Sequence, residues 1–213
     1  MKDTTKEIID ELFVRYPDLK VMENAIIEAY ETILACYQSG HRLYLCGNGG
    51  SAADCEHIAG ELLKKFKKIR PLDETFANHL KSLGEDGTFL AERLEGGVPA
   101  VSLCGHPSLS TAFANDNDPV LIFAQQLGAL GESGDVLITI STSGNAKNCA
   151  YAALVAKAKG MKTIAFTGAT GGKLKELCDV CICAPELETY KVQELHLPVY
   201  HCLCAMLEEE FFC

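Results

Sequence analysis

The stretch LYLCGNGGSAADCEHIAGELL, residues 43–63, contains three successive patterns. A short apolar run leads into a loop with three glycines, and apolar side chains at helical spacing follow the loop. Glycines in such a loop indicate that the backbone approaches something closely, because a residue without a Cβ leaves room for it. The order of strand, glycine loop and helix is typical of parallel sheets that bind ligands at their strand ends.

The same alternation continues along the chain. Short, nearly continuous apolar runs separated by helices predict a parallel sheet covered on both faces. The strand candidates are 42–47, 99–104, 135–140, 162–167 and 179–184. The helical patterns that follow them are 51–66, 120–130, 146–159, 172–177 and 188–211. We therefore predict an α/β fold, a three-layer sandwich around a five-stranded parallel sheet.

Two parts of the chain lie outside this alternation. Residues 1–40 contain two amphipathic helical patterns, 4–16 and 20–39, whose apolar faces exceed what one sheet requires. Residues 72–97 delay the second strand, and we predict two short helices there, inserted as a flap near one end of the ligand site at the strand ends. Neither part is a separate domain, so residues 1–213 are predicted to form one domain.

Composition and cysteine usage limit the cellular context. The start of the chain lacks a secretory signal pattern, and no apolar run is long enough to span a bilayer, so we expect a soluble cytoplasmic protein. The 11 cysteines cannot all pair internally, and most lie in apolar runs, so we expect reduced thiols that pack as small hydrophobic groups. The C-x-x-C of Cys178 and Cys181 has no matching zinc-finger pair, which favours packing there too.

The charge of the chain excludes one class of partner. Lys and Arg total 19 against 29 Asp and Glu, a formal net charge of -10. Nucleic-acid binding requires a basic field, so DNA or RNA is an unlikely partner. The one basic cluster, KKFKKIR at 64–70, is best explained by solvated cations that complement a helix C-terminus.

The glycine loop fits a dinucleotide motif only in part. Gly47, Gly49 and Ala52 match G-x-G-x-x-[GA] between a strand and a helix. That motif also needs an acidic residue about twenty positions later to hold a ribose. The corresponding region is KKFKKIRP, which is cationic and not strand-like. A nicotinamide-dependent oxidoreductase is therefore disfavoured.

A sugar phosphate fits the loop better. Ser51 is expected to cap the next helix, whose free N–H groups and positive end would face an anion. STSGN, residues 141–145, adds hydroxyl groups and a glycine turn at a second strand–helix junction. STSGN alone would be an ordinary helix start, but together the two loops predict a site for a phosphate and an adjacent polyol.

Two pairs of polar residues have a spacing that places each pair on one helix face. His57 and Glu61 are four residues apart, and Gln193 and His201 are eight apart. Each pair taken alone has a simple structural explanation: a surface pair in the first case, a satisfied core histidine in the second.

Several of these motifs together, in this order, resemble the sugar isomerase (SIS) domain. They are CGNGGSAAD, HIAGEL, ND at 115–116, GDVLITISTSGN, FTGATGGKL and VQELH followed by a further histidine. The resemblance is closest to phosphoheptose isomerases, which interconvert sedoheptulose 7-phosphate and an aldoheptose 7-phosphate. It implies a flavodoxin-like sheet and a homotetramer whose active sites are built from more than one subunit.

The resemblance also implies residue roles. Glu61 corresponds to the catalytic base and His201 to the catalytic acid, and some members bind zinc through residues that match His57, Glu61, Gln193 and His201. The implied substrate-binding residues are Asn48, Gly49, Gly50, Ser51, Lys65, Asn115, Asp116, Ser141, Thr142, Ser143, Asn145 and Gln193. Of these, Ser51, Ser141, Thr142 and Ser143 correspond to phosphate contacts, and Asn48 and Asp116 to the sugar side.

Four features depart from the family pattern. Ala146 and Tyr190 stand where relatives often have a serine and an aspartate, residues 72–97 are an addition to the shortest members, and Pro198 is expected to bend the last helix locally. One alternative is a non-catalytic SIS protein that binds sugar phosphates or assembles on a replication initiator. Such relatives lack both the base and the histidine, which favours the enzyme here.

Overall fold

Five parallel strands form a single sheet at the centre of the molecule. The computed structural model describes residues 1–212, and Cys213, the end of the predicted domain, lies outside them. The strands are β1 (Leu43–Gly47), β2 (Ala100–Ser102), β3 (Val136–Ile140), β4 (Lys162–Thr167) and β5 (Val180–Cys183). Their spatial order is β2-β1-β3-β4-β5, and every pairing is parallel. The prediction of a five-stranded parallel α/β sheet is confirmed.

Ten helices surround the sheet in residues 1–212, with short 3₁₀ turns at Pro17–Met22 and Pro119–Leu121. They are α1 (Asp3–Arg15), α2 (Glu23–Gln38), α3 (Gly50–Leu63), α4 (Glu74–Ser82), α5 (Glu85–Arg93), α6 (Pro107–Asp116), α7 (Ile122–Leu130), α8 (Lys147–Ala158), α9 (Gly172–Leu177) and α10 (Thr189–Phe212). None of them is long and apolar enough to cross a membrane, in the part of the chain that the structure describes.

The core is split by the sheet into two apolar clusters. Leu43 and Leu45 of β1 face one cluster, which contains residues of α1, α2, α3 and α10. Tyr44 and Cys46 face the other, which contains residues of α7 and α8. Since side chains alternate across a strand, one short apolar strand contributes to both layers. This arrangement explains the nearly continuous hydrophobic runs in the sequence.

The order of the strands reverses at β1. The chain moves from β1 to one neighbour, β2, and then crosses to the other side of β1 to form β3. Gly47 and Ile140, the last residues of β1 and β3, are partners in the sheet register. The loops that follow them therefore lie side by side at the carboxyl edge, where open α/β sheets bind ligands.

Two details of the sequence interpretation are corrected by the structure. A helix, α6, covers Pro107–Asp116, where no helix was predicted; Pro107 at its first turn is a helix-start signal that was missed. Helix α3 ends at Leu63 rather than 66, so the basic cluster follows the helix as a loop. Pro198 lies inside α10, which runs from Thr189 to Phe212 as expected, and the local bend there stays a prediction.

The basic cluster also differs from the prediction in its burial. Arg70 is not solvated but only 2% exposed. Its guanidinium donates to the carbonyl oxygens of Leu62 and Glu61 at 2.8 and 2.9 Å, and its Nε donates to Glu208 Oε1 at 2.7 Å. Arg70 thus does complement the C-terminus of α3, as a buried cap paired with a carboxylate from the last helix.

Candidate functional site

The turn between β1 and α3 needs glycine at three positions. Gly49 has φ +55°, which favours glycine, and a Cβ on Gly47 would lie 2.7 Å from the carbonyl oxygen of Ser51. A Cβ on Gly50 would lie 2.6 Å from Nε2 of Gln193. Glycine here permits close packing against α10 as well as the turn itself, an explanation that the sequence analysis had left open.

Ser51 does not have the capping role that its sequence position suggested. The N-cap is Gly49, the helix begins at Gly50, and Ser51 lies inside the first turn. Its backbone N–H donates to the carbonyl oxygen of Asn48 at 3.0 Å. The positive φ of Gly49 starts the helix earlier than expected. Ser51 stays beside the N-terminus of α3, where the helix dipole favours an anion.

The second loop, Ser141–Asn145, turns at Gly144, whose φ is +65°. The hydroxyl of Ser141 accepts a hydrogen bond from the N–H of Ala146 at 3.4 Å, and that of Ser143 accepts one from the N–H of Asn145. Asn145 in turn accepts from the N–H of Lys173. Ser141 therefore fixes the N-cap residue of α8, Ala146, but no side chain caps the helix itself.

A pair of amides joins the two loops. Asn48 and Asn148 exchange two side-chain hydrogen bonds, at 2.7 and 3.0 Å. This pair confirms the expectation that the loops after β1 and β3 converge. Asn148 was missed by the sequence analysis, although its place in the first turn after STSGN would have made it a candidate.

His57, Glu61 and His201 form a second polar cluster, farther along α3. Nε2 of His57 lies 3.2 Å from Oε1 of Glu61 and 3.4 Å from Nε2 of His201. The structure thus brings the predicted base and the predicted acid to the same histidine. The aromatic ring of Phe66 lies beside His201, with the ring centroids 5.3 Å apart.

The hydrogen bonds of Tyr200 determine which nitrogen of His57 carries the proton. The hydroxyl of Tyr200 donates to Asp54 Oδ1 at 3.2 Å and lies 3.0 Å from Nδ1 of His57. Since a hydroxyl has one proton, the N–H of Nδ1 donates to Tyr200, and Nε2 of the neutral ring keeps its lone pair. Burial raises the pKa of Tyr200, with the nearby Asp54 adding to the effect, so the hydroxyl stays protonated.

The surroundings of His201 favour its neutral form by lowering its pKa. Burial lowers the pKa of His201, and the neighbouring His57 and Arg15 lower it further, while Glu61 opposes them. A neutral imidazole exchanges a proton at either nitrogen and can ligate a metal ion. Asp54 and Tyr200 carried no signal in the sequence that distinguishes them from core residues.

Gln193 lies apart from this cluster. Its amide packs against Gly50, seven residues before His57 on α3. Helices α3 and α10 run side by side in the same direction, so that Gln193 faces the start of α3 and His201 faces its middle. Gln193 thus stands beside the glycine loop, and among the other three predicted metal ligands His57 contacts Glu61 and His201.

Lys65, Asn115 and Asp116 contact neither the loops nor the cluster through hydrogen bonds within residues 1–212. Lys65 pairs with Glu95 of the 72–97 segment: its Nζ lies 2.9 Å from Oε1, and its backbone N–H donates to Oε2. Asn115 donates to Asp116 at 2.9 Å at the exposed end of α6. Within one chain these three do not complete the site.

The cluster also lies at a distance from the phosphate loops. Glu61 follows Ser51 by ten residues on α3, which corresponds to roughly 15 Å along a helix axis. The loop residues and the cluster were expected to act on one substrate. Within one chain they are too far apart along α3 to be neighbours.

Comparison with known proteins agrees with this architecture. The family model of the SIS domain matches residues 18–102 and 90–168. The chain is 39% identical to a phosphoheptose isomerase from Aneurinibacillus thermoaerophilus over 91% of its length and 83% of the relative's. It is 34% identical to one from Roseiflexus sp., covering 98% and 95%. A phosphoheptose isomerase structure from Francisella tularensis aligns with a TM-score of 0.74 at 28% identity, covering 98% of this chain and 100% of that one. The chain therefore belongs to the SIS-domain family and, within it, to the phosphoheptose isomerases.

Proposed function

We propose that this chain is an aldose–ketose isomerase that interconverts sedoheptulose 7-phosphate and D-glycero-D-manno-heptose 7-phosphate. The observation that carries the proposal is the convergence of Glu61 and His201 on His57. A carboxylate next to imidazole groups is the set that this proton transfer requires. The names of the relatives support the seven-carbon sugar as substrate.

The phosphate is proposed to bind at the two loops. The hydroxyl groups of Ser51, Ser141, Thr142 and Ser143 are the donors there. The starts of α3 and α8 add their helix dipoles, whose positive ends favour a dianion. The Asn48–Asn148 pair holds the loops together, so the pocket is organised before the phosphate arrives.

The proton transfer is proposed to follow an ene-diol path. Glu61 takes the proton from the carbon next to the carbonyl, and the electron pair of that C–H bond forms the ene-diol. His201 moves a proton between the oxygens on C1 and C2, and Glu61 returns its proton to the other carbon. A positioned acid or base of this kind contributes about 10²–10⁴-fold in rate.

A zinc ion is also proposed at this cluster. Tetrahedral zinc has bonds of about 2.0–2.1 Å, which separates its ligand atoms by about 3.3 Å. The contacts from His57 to Glu61 and His201 are 3.2 and 3.4 Å, and Nε2 of His57 has a free lone pair. No group of three such side chains in residues 1–212 is close enough throughout to hold an ion as it stands, so Glu61 and His201 would have to move closer together. When bound, zinc would polarise the substrate carbonyl.

The separation between loops and cluster supports sites shared between subunits of a homotetramer. Ser51 and Glu61 lie roughly 15 Å apart along α3. We propose that the loops of one subunit and the cluster of another face the same substrate, with Lys65, Asn115 and Asp116 reaching it from a neighbouring chain. A cytoplasmic location fits the free cysteines, ten of which lie in residues 1–212.

One assay tests the proposed reaction. Sedoheptulose 7-phosphate is supplied to the purified chain, and formation of the aldose is followed by a coupled enzyme or by NMR. Turnover with this ketose, and much slower turnover of a five- or six-carbon ketose phosphate, is the expected result. Saturable binding without any turnover would overturn the enzyme proposal in favour of a sugar-phosphate-binding SIS protein.

A further inference from the structure

Two cysteines on the edge strand β5 form a cluster that the proposed reaction does not use. Cys181 and Cys183 are two positions apart, so their side chains point to the same face of the strand. Their Sγ atoms lie 3.5 Å apart, and both residues are half-buried. β5 pairs only with β4, so this end of the sheet has a neighbour on one side alone.

Thr167 of β4 completes a triangle with the two sulfur atoms. It is the register partner of Cys183, and its Oγ1 lies 3.5 Å from each Sγ. All three edges of the triangle are therefore 3.5 Å. Ala165, the register partner of Cys181, carries no polar group that could compete for that thiol.

The pair is poorly placed for a disulfide. Residues two positions apart on a strand have Cα atoms about 6.6 Å apart, close to the upper limit of about 6.8 Å for disulfides. Two thiols in contact on a rigid strand are instead suited to share a bound ion. Thiolates select soft cations over Mg²⁺ and Ca²⁺, which prefer oxygen ligands.

We propose that Cys181 and Cys183 form a binding site for one soft divalent cation of the Zn²⁺ and Cd²⁺ class, with Thr167 beside it. Two S–H bonds break, two metal–sulfur bonds form, and two protons pass to the solvent, with no change of oxidation state. Two thiolates neutralise the charge of a divalent ion, which allows the complex to remain half-buried. Because residues 1–212 contain no third histidine, cysteine or carboxylate grouped with this pair, water completes the coordination.

Without a bound ion, Cys181 is a neutral thiol. Burial raises the pKa of Cys181 to about 12, and the neighbouring Cys183 adds to the effect. Binding must therefore release protons, and affinity should rise with pH. Cys178, three residues earlier, packs against the same apolar cluster as Cys181 and also raises the pKa of that thiol, but no hydrogen bond between its sulfur and either thiol is present among the described residues, so it serves as the comparison.

The test is a titration of the fully reduced chain with Cd²⁺ in thiol-free buffer. We expect a near-ultraviolet thiolate-to-cadmium absorption band that saturates at one ion per chain, with two protons released per ion. Cys181→Ser and Cys183→Ser should each abolish the band, while Cys178→Ser and His57→Ala should keep it. The His57 variant separates this site from the histidine cluster, which produces no thiolate band.

A second measurement needs no variant and so does not depend on mutant folding. Cd²⁺ should slow alkylation of Cys181 and Cys183 by iodoacetamide at least tenfold, read by peptide mass spectrometry, and leave the rate at Cys178 unchanged. The proposal is overturned if wild type shows no band, if the band survives in both serine variants, or if protection falls on other cysteines.

Discussion

Nε2 of His57 lies 3.4 Å from Nε2 of His201, across 144 positions of the sequence. Two imidazole nitrogens that face each other need a proton or a cation between them, since two lone pairs repel. The proton on Nδ1 of His57 is committed to Tyr200, which leaves its Nε2 as an acceptor. This relationship underlies both the acid–base and the metal proposals, and the two are separable by experiment.

Glu61→Gln should abolish proton abstraction while leaving the fold intact. The amide keeps the shape of the carboxylate but cannot accept a proton, so exchange of the C1 or C2 hydrogen with solvent deuterium should fall by at least about 10²-fold. Phosphate affinity should be retained, because Ser51 and the 141–143 hydroxyl groups are untouched. NMR of the substrate in deuterated buffer measures the exchange.

Glu56→Gln is the control for that experiment, since Glu56 is an exposed carboxylate on the same helix. The Glu56→Gln variant should exchange the C1 or C2 hydrogen of the substrate with solvent at the wild-type rate. Zinc content is measured for both variants, because the Glu61 change also alters a proposed ligand. Near-normal exchange in Glu61→Gln with metal retained would contradict the role of Glu61 as base.

Protein purified without chelators should contain about one zinc per chain. His57→Ala should lose that metal, because His57 is the member of the cluster in contact with both others. Elemental analysis decides this, and His79→Ala, an exposed histidine of α4, should leave the metal content unchanged. Full activity without bound metal would contradict a role for the ion in the reaction, but it would be consistent with the acid–base mechanism.

The chain should form a tetramer in solution. Val14 and Val21, at the end of α1 and in the turn that follows, are 80% and 77% exposed in the isolated chain, although both are apolar. Burial between subunits would remove them from water. Light scattering at micromolar concentration should return four chains, and Val14→Glu with Val21→Glu should reduce the assembly. A monomeric wild type would contradict the prediction.

Glu208→Ala should destabilise the fold strongly. Glu208 is paired with Arg70 through a 2.7 Å contact, and both side chains are 1% exposed. Removing one partner of a buried pair leaves an uncompensated charge and costs about 3–5 kcal/mol. Urea denaturation measures the change in unfolding free energy.

Glu92→Ala serves as the comparison for that measurement. Glu92 and Arg93 form an ion pair with 61% and 58% exposed side chains. Pairs of this type contribute about 0–1 kcal/mol, so the variant should be close to wild type. If Glu208→Ala and Glu92→Ala lowered the unfolding free energy by equal amounts, burial would not control the strength of the Arg70–Glu208 pair.

His196 should make the fold sensitive to acid. Burial lowers its pKa to about 4, although a hydrogen bond to the carbonyl of Thr167 opposes the shift. The unfolded chain binds this proton near pH 6.5, so the stabilisation present above that pH is lost as the pH falls to about 4. A shift of this size corresponds to about 3 kcal/mol at most.

The measurement for His196 is the unfolding free energy between pH 7 and 4. His196→Gln should lower stability at pH 7 but show a shallower loss on acidification, whereas His79→Gln should retain the wild-type slope. A wild-type slope in His196→Gln would assign the acid sensitivity to other groups.

The fold could be predicted because local signals and packing agree. Apolar strand runs, each bounded by polar or glycine-containing loops, defined all five strands to within two residues at either end. The helix over Pro107–Asp116 was missed because its apolar pattern is short and none of its residues is buried in the core. Its only signal was a proline at its first turn.

The sequence indicated which residues the candidate site contains, but not how their side chains contact one another. The spacing of His57 and Glu61 indicated a shared helix face, and that pairing is present. The Tyr200 and Asp54 hydrogen bonds depend on how α10 packs along α3, which no local pattern encodes. The same packing places Gln193 beside Gly50, away from the ligands with which it was grouped.

Helix α10 carries both His201 and Glu208, and it is synthesised after all five strands of the sheet. The carboxylate of Glu208 accepts hydrogen bonds from the backbone N–H groups of Phe66, Lys67 and Lys68, about 140 residues earlier. At a synthesis rate of about 5–20 residues per second, that loop emerges on the order of ten seconds before its partner. A nascent chain thus has the strands of the sheet and the loops after β1 and β3 well before the contact between His57 and His201 can form.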